Sequence, residues 1–412
     1  MNFFAGILNG LREIWSHKLR SALTMVCILL GVGSVVLTVG FVNGLFSNWN
    51  KWLAESGGLE KIAIVDQQAP EAQQAIKARS PGRSMRDVAA LRDGSRHANL
   101  ISPEIDLDSR FQRGRAVHRA RVQGVTPAIF TINRTEVEHG RPLCDLDVQK
   151  AASVVVLGST VAKKLFKPGE EPVGSTVRIN GLLCEVVGVV RRYAFNDEDP
   201  EEWNPMEGLK NNIAFIPITT MQQKLVGDVP LTWVNVQVKN VDALHQAVEE
   251  VENIIRSSHR GIDDFRIRTG EEDLQELQDM QRNFMVVGTT IGAVTLIIGG
   301  IGIMNLMLAS INERVREIGI RKALGAWDED VFVQFMAESV ALSLVGGAIG
   351  VAAGCGLIEL MQRIPGLSVK PEISLAAVIV GFCFSVVTGI ASGIYPAALA
   401  SRLDPIEALR FE

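Results

Sequence analysis

The chain has 412 residues, 47% of them hydrophobic, and a formal net charge of −5. That apolar share is high for a water-soluble protein, and the length leaves room for more than one folding unit. The acidic balance, with no basic stripe carrying interleaved aromatics, argues against nucleic acid as a partner.

In chain order, Phe3, Phe4, Ile7, Leu8, Leu11, Ile14 and Trp15 can share one helical face. Residues 1–18 therefore read as a cytoplasmic interfacial helix, the alternative being a plain extension of the first span. Four stretches then contain no Asp, Glu, Lys or Arg: Ser21–Phe46, Asn283–Ile311, Ser339–Ile358 and Ile373–Ser401. Each reaches the ~20 helical residues that cross a hydrocarbon core about 30 Å thick. Without water to bond the backbone, such segments must be helical. The expected transmembrane helices are 19–47, 283–311, 331–361 and 373–401. The length of the first, and the lack of a small-x-small pattern near Phe46, argue for a retained anchor rather than a secretory signal. Lys18 and Arg20 precede span one, Arg314, Arg316, Arg321 and Lys322 separate spans two and three, and Arg402 and Arg410 follow span four. Only Arg363 and Lys370 separate spans three and four. The positive-inside rule then places both termini, the segment 312–326 and the tail 402–412 in the cytoplasm.

Between spans one and two, residues 48–282 have the texture of an extracytoplasmic α/β domain. Runs rich in Val and Ile at Lys61–Val65, Ser153–Leu157, Thr176–Asn180, Leu182–Val190, Ile213–Ile218 and Leu231–Val238 read as strands bounded by Gly, Pro and Asn. Asp242–Arg256 has helical spacing through Leu244, Val248, Val251 and Ile255, and Phe265–Arg268 reads as a further strand. Ala69–Ser84 reads as a mobile loop and Asn196–Pro205 as a solvated acidic insertion. Glu271–Arg282 is polar and helical and meets no Gly or Pro before Gly288, so a stalk helix from 271 is expected to continue into span two.

Catalytic and cofactor signatures are weak. Gly169–Thr176 has the two glycines and the Ser-Thr of a phosphate loop but no lysine, and carries Glu170 and Glu171; it reads as a turn between strands. The six histidines show no metal-ligand spacing, and Cys144 and Cys184 have no CxxC companion; lying outside the membrane, those two could pair, but spacing alone does not establish a disulfide. Asn133-Arg134-Thr135 is a chance-level sequon. Inside the membrane, Asn305, Glu338 and Glu359 are the strongly polar positions, both glutamates toward an interface rather than at mid-depth where ion carriers place them. Gly40/Gly44, Gly288/Gly292, Gly346/Gly350, Gly350/Gly354 and Gly389/Gly393 have the spacing that lets helices approach closely, within one bundle or between two copies.

Two inner-side sequences are more specific. NERVREIGIRKALGA at Asn312–Ala326 is a charged helix with Glu317 and Arg321 at i,i+4 and Ile311, Val315 and Ile318 on an apolar side. GIYPAALASRLDPIEALR at Gly393–Arg410 ends span four and closes the chain. With HKLRSALTM at His17–Met25, they resemble the membrane subunit of MacB-type ABC transporters, the family that includes LolC, LolE and FtsX. VQGVTPAIF at 122–130, GRPL at 140–143, VVVLGSTVAKKLF at 154–166 and PVGSTVRINGLLCEVVGVV at 172–190 resemble the MacB periplasmic core domain, so the likeness covers nearly the whole chain.

The resemblance implies a non-catalytic, multi-pass permease subunit of the bacterial inner membrane, in contact with membrane lipid. It implies a homodimer or a pseudo-dimer with a related permease, and a cytoplasmic ABC ATPase that binds the ATP and Mg. A periplasmic adaptor and an outer-membrane channel are further partners in such systems. By the same likeness 312–326 is the coupling helix, with Glu313, Arg314, Arg316, Glu317, Arg321 and Lys322 as contacts to the ATPase. MacB itself carries its ATPase on the same chain ahead of the first span, so a separate ATPase polypeptide is expected here. Efflux or extraction of a substrate by mechanotransmission is the leading expectation. An FtsX-like regulator of an extracytoplasmic cell-wall enzyme is the alternative, and a sensor signalling through a kinase is disfavoured because no cytoplasmic signalling domain is seen.

Overall fold

A computed structural model of the chain describes residues 18–193, 210–364 and 370–410. The expected interfacial helix over 1–18, apart from Lys18, and the acidic insertion Asn196–Pro205 lie outside them. The chain divides into two units, 48–278 and the remainder.

Helix α1 (Lys18–Glu55) precedes the core domain, the unit formed by 48–278. Its strands are β1 (Lys61–Asp66), β2 (Ala98–Arg113), β3 (Ala116–Val125), β4 (Val137–Gly140), β5 (Val154–Leu157), β6 (Thr176–Ile179), β7 (Leu182–Val190), β8 (Ile213–Pro217), β9 (Trp233–Val238) and β10 (Phe265–Thr269). They form one sheet in the order β10-β1-β9-β2-β3-β8-β5-β7-β4, with β6 beside β2 and β7. Strand β2 joins the two halves: Ala98–Glu104 pairs with β9 and Ile105–Arg113 with β3, both antiparallel.

Period-two alternation explains how one face is made. Ile62 and Ile64 of β1, Ile105 of β2, Val122 of β3, Ala214 and Ile216 of β8, and Val234 and Val236 of β9 all enter a single buried cluster. Helices α2 (Met85–Gly94) and α3 (Leu244–Ser258) pack together and close it with Val88, Leu91, Leu244, Ala247, Val251 and Ile255. The start of α2 is fixed by Asp87, whose Oδ2 accepts the Ser84 N–H at 2.7 Å. The intervening residues of the same strands are largely polar. That is why the longest pair, β2 with β3, does not stand out as an apolar run. The segment Ala69–Ser84 also differs from expectation, since Glu71–Arg79 winds into 3-10 helix. Cys144 and Cys184 are separate thiols, the first exposed and the second buried on β7; burial pushes the Cys184 thiol up to about 11.

The two ends of the core domain meet. Gly58 takes a φ of +60°, and a Cβ on Gly270 would collide with the Gly58 carbonyl. Only glycine allows the two backbones to come so close.

Helix α4 (Gly270–Glu313) is a single element of 44 residues, about 66 Å long at 1.5 Å per residue. Helices α5 (Val315–Ala323), α6 (Asp328–Gln362), α7 (Leu375–Ser401) and α8 (Pro405–Arg410) follow. Among the described residues four helices, α1, α4, α6 and α7, are long and apolar enough to cross a membrane. Glycines set their spacing within one chain. Gly288 and Gly292 of α4 face Thr38 and Val35 of α1, and Gly346, Gly350 and Gly354 of α6 face Ile28, Val32 and Val36. Gly389 and Gly393 of α7 face Ser343 and Ser339, while Gly40 and Gly44 face the backbone of Glu372 and Lys370. Each glycine pair picked out by spacing thus serves packing inside this bundle, where small residues substitute for a hydrophobic driving force.

Candidate functional site

One end of the bundle gathers α5, α8 and the ends of α4, α6 and α7. Helix α4 stops at Glu313, and the Arg314 N–H bonds back to the Ser310 carbonyl at 3.1 Å and the Ile311 carbonyl at 3.0 Å. The charged segment is therefore not one helix: Glu313 ends α4, Arg314 sits in the junction, and α5 carries the rest. Val315, Ile318 and Gly319 form the buried side of α5. At Gly319 a Cβ would lie 2.7 Å from the Ala408 Cβ of α8, so α8 rests directly on the α5 backbone.

Three of the basic residues singled out by sequence turn inward. Lys322, with a side chain 10% exposed, pairs with Asp328 at 2.9 Å. Its Nζ also donates to the Ser401 and Leu403 carbonyls, each at 2.7 Å. A cation here caps carbonyls that the end of α7 leaves without helical partners and complements its dipole. Arg321 Nη1 donates to Gln334 Oε1 at 2.9 Å, and its Nη2 lies 3.8 Å from Glu317 one turn back. Gln334 in turn donates to Glu338 at 3.4 Å, and Arg314 reaches the same carboxylate at 3.8 Å. Glu338, almost fully buried, thus anchors the junction before α5 to α6, whereas Glu359 is exposed near the far end of α6. Buried charges need such partners.

Arg316 points the other way: it is exposed, and among the described residues it makes no side-chain hydrogen bond or ion pair. Glu313 and Glu317 are exposed as well. Beside them stand apolar side chains that the charge pattern overlooked: Ile320 is 44% exposed, Leu324 84% and Trp327 77%. Arg316, Ile320 and Leu324 recur at i, i+4 and i+8, a spacing that places them on one helical side. Their outward direction was concealed in the sequence because an isolated apolar residue on a short helix is ordinarily assigned to the core. The surface offers an exposed cation, a carboxylate and three large apolar groups on a braced helix. Such a set suits docking to a protein rather than bond chemistry.

The family model described as the MacB-like periplasmic core domain matches residues 21–254, and that described as the FtsX-like permease C-terminal matches 289–405. The macrolide export ATP-binding/permease protein MacB of Bdellovibrio bacteriovorus is 30% identical over 417 residues, which cover 98% of this chain and 61% of the relative. The ABC transporter permease YknZ of Bacillus subtilis is 29% identical over 417 residues, covering 100% of both chains. The crystal structure of the periplasmic region of MacB from Actinobacillus actinomycetemcomitans aligns at 19% identity and a TM-score of 0.44, over 55% of this chain and 95% of that one. The chain thus spans about three fifths of the MacB relative and the whole of YknZ.

Proposed function

Because the chain belongs to the MacB and FtsX-like family of ABC transporter permeases, we propose that it couples ATP hydrolysis by a cytoplasmic ABC ATPase subunit to movement of its core domain, driving efflux or extraction of a substrate. Both termini and α5 lie in the cytoplasm of a bacterial inner-membrane protein in this reading, as the distribution of basic residues supports. The observation that carries the proposal is the inner helix: α5 is tied to α4, α6, α7 and α8 on one side and presents Arg316, Ile320 and Leu324 on the other. A helix so held transmits a push from a bound partner to the spans instead of absorbing it. Helix α4 supplies the route outward, since its polar start at Glu271 and its apolar run belong to one uninterrupted element.

The test separates docking from folding. Captured on a cognate ABC ATPase, the wild-type chain should stimulate hydrolysis, while the chain alone hydrolyses no ATP. Arg316→Glu combined with Leu324→Ala should weaken capture at least tenfold with an unchanged melting temperature; undiminished capture by that variant rejects α5 as the docking element.

A second copy of the chain is the proposed partner within the membrane. Phe284, Val287, Ile291, Val294, Ile298 and Ile301 of α4 are each about half exposed, and their alternating steps of three and four match the seam of a two-helix coil. In a cysteine-free background, Val294→Cys should give a disulfide-linked dimer on mild oxidation, and Val387→Cys on α7 should not. Equal cross-linking at both positions would mean collision in the membrane and no defined seam.

A further inference from the structure

The core domain encloses a cavity of about 630 Å³ whose lining residues all lie between Trp52 and Asp273. Its floor is the sheet face opposite the apolar core. Alternate residues of neighbouring strands supply it: Lys61 and Ala63 from β1, Glu104 and Asp106 from β2, Arg121 and Gln123 from β3, Trp233 and Asn235 from β9. The alternation that builds the core thus builds this polar surface as well.

Two of the carboxylates that line the cavity, Glu104 and Asp106, are bonded from within. Glu104, only 6% exposed, accepts from Asn235 Nδ2 at 2.9 Å and from Gln123 Nε2, which also donates to Asp106 at 3.0 Å. Burial, with Asp106 beside it, pushes the Glu104 carboxyl up to about 8 against the opposing charge of Lys61. The arginines are satisfied too: Arg121 has Asp106 at 3.8 Å, Arg191 has Glu136 at 2.9 Å and Arg268 has Asp273 at 2.5 Å.

The two lysines are not. Lys61 Nζ donates to the neutral Asn133 Oδ1 at 2.8 Å, and Lys210 Nζ stands 4.4 Å above the Tyr193 ring. Among the described residues neither has a carboxylate within ion-pair distance. Burial holds both below the ordinary lysine range, Lys210 at about 8; the charges of Glu104 and Asp273 oppose it at Lys61, and at Lys210 Glu55 opposes it while Lys61 adds to it. Two more donors, Trp52 Nε1 and Ser56 Oγ, are buried in the same cavity and have no partner among the described residues. Among the described residues, then, two ammonium groups and two donors line one cleft and none of them meets a carboxylate at ion-pair or hydrogen-bond distance, with Glu55, Glu104 and Asp273 acting on the lysines only from farther off. Buried polar groups are normally paired, and donors left without acceptors mark the chemistry of what belongs there.

We propose that this cavity binds a small anionic amphiphile, its phosphate or carboxylate taken by Lys61, Lys210, Trp52 and Ser56, and its apolar part lying against Trp233 and Phe215. The volume falls within the range of small-molecule sites. The anionic group can come from a bilayer lipid or from a water-borne molecule. The site rests on core-domain residues alone and on nothing in the docking role of α5.

Titration calorimetry on the full chain in amphipol, with butyl phosphate as probe, tests it without ATPase. Wild type should bind butyl phosphate and not butyltrimethylammonium, and Lys61→Met with Lys210→Met should weaken binding at least tenfold. The milder Lys210→Gln, at a half-buried position, should weaken it at least threefold with an unchanged melting temperature. In phosphatidylcholine nanodiscs, adding phosphatidylglycerol should displace butyl phosphate if bilayer lipid is the occupant and leave it bound if the occupant is water-borne; either result supports the site. No binding by wild type, equal binding by Lys210→Gln, or equal binding of the cationic probe would overturn it.

Discussion

Replacing His259 by Ala should cost the core domain roughly 3 to 5 kcal/mol, the range for breaking a buried ion pair from one side. The imidazole is fully buried between two carboxylates: Nδ1 meets Asp264 at 2.5 Å and Nε2 meets Asp87 at 3.3 Å. Phe265 closes over it edge-on, with ring centroids 5.5 Å apart. Asp87 also caps α2 and accepts from Ser258, so one cluster clamps α2, the end of α3 and the approach to β10. Burial opposes the charged imidazole, but hydrogen bonds and charge from Asp87 and Asp264 outweigh it and raise the His259 pKa. Burial likewise opposes the Asp87 carboxylate, and its bonds to His259, Ser258 and Ser84 overcome that and lower its pKa.

The signs then define a window. A raised His259 stabilises fully below the unfolded value near 6.5 and loses its contribution as pH rises through the folded value. A lowered Asp87 stabilises above about pH 4 and loses its contribution as pH falls through its folded value. The stability gap between wild type and His259→Ala, from chemical denaturation at a series of pH values, should be widest between about pH 4 and pH 6.5. It should narrow on both sides. A gap independent of pH would mean that His259 contributes by packing alone.

The second large effect is expected at Lys322. In Lys322→Met the carbonyls of Ser401 and Leu403 lose their donor and Asp328 its partner, a loss of roughly 2 kcal/mol for the bundle. The functional effect should be larger than the structural one. Without this brace α5 is attached chiefly through Val315, Ile318 and Arg321, and a bound ATPase would move the helix without moving α7. The expected result is ATPase capture within twofold of wild type but stimulation of hydrolysis reduced at least tenfold. Arg316→Glu fails the other way, at capture. If Lys322→Met and Arg316→Glu lose capture equally, bracing and docking are not separable and the lever reading fails.

Much of the architecture was legible before any coordinates. A charge-free run of some twenty residues has one physical solution in a bilayer, so the four long helices follow from composition. Strands buried on both faces, such as Val154–Leu157, announce themselves as unbroken Val and Leu. Strands β2 and β3 did not, because every second residue is polar: Glu104, Asp106, Arg121 and Gln123 interrupt any apolar run, and only the sheet collects them around a cavity. The apolar side of α5 was visible in the spacing of Val315 and Ile318. The inward turn of Arg321 and Lys322 was not, since Gln334, Ser401 and Leu403 lie on other elements and their approach is set by tertiary packing. Likewise the glycine pairs could be recognised, but their partners on α1 and α6 could not be assigned from spacing.

The meeting of Gly58 and Gly270 has a further consequence. A domain whose ends touch is an insertion at a single point, and such insertions are tolerated because the host chain keeps its geometry on either side. The residues between those glycines therefore form an exchangeable cassette. Recombination at this pinch would exchange the core domain while leaving the chain on either side in place, and the same pinch marks where a designer would cut to graft a new one.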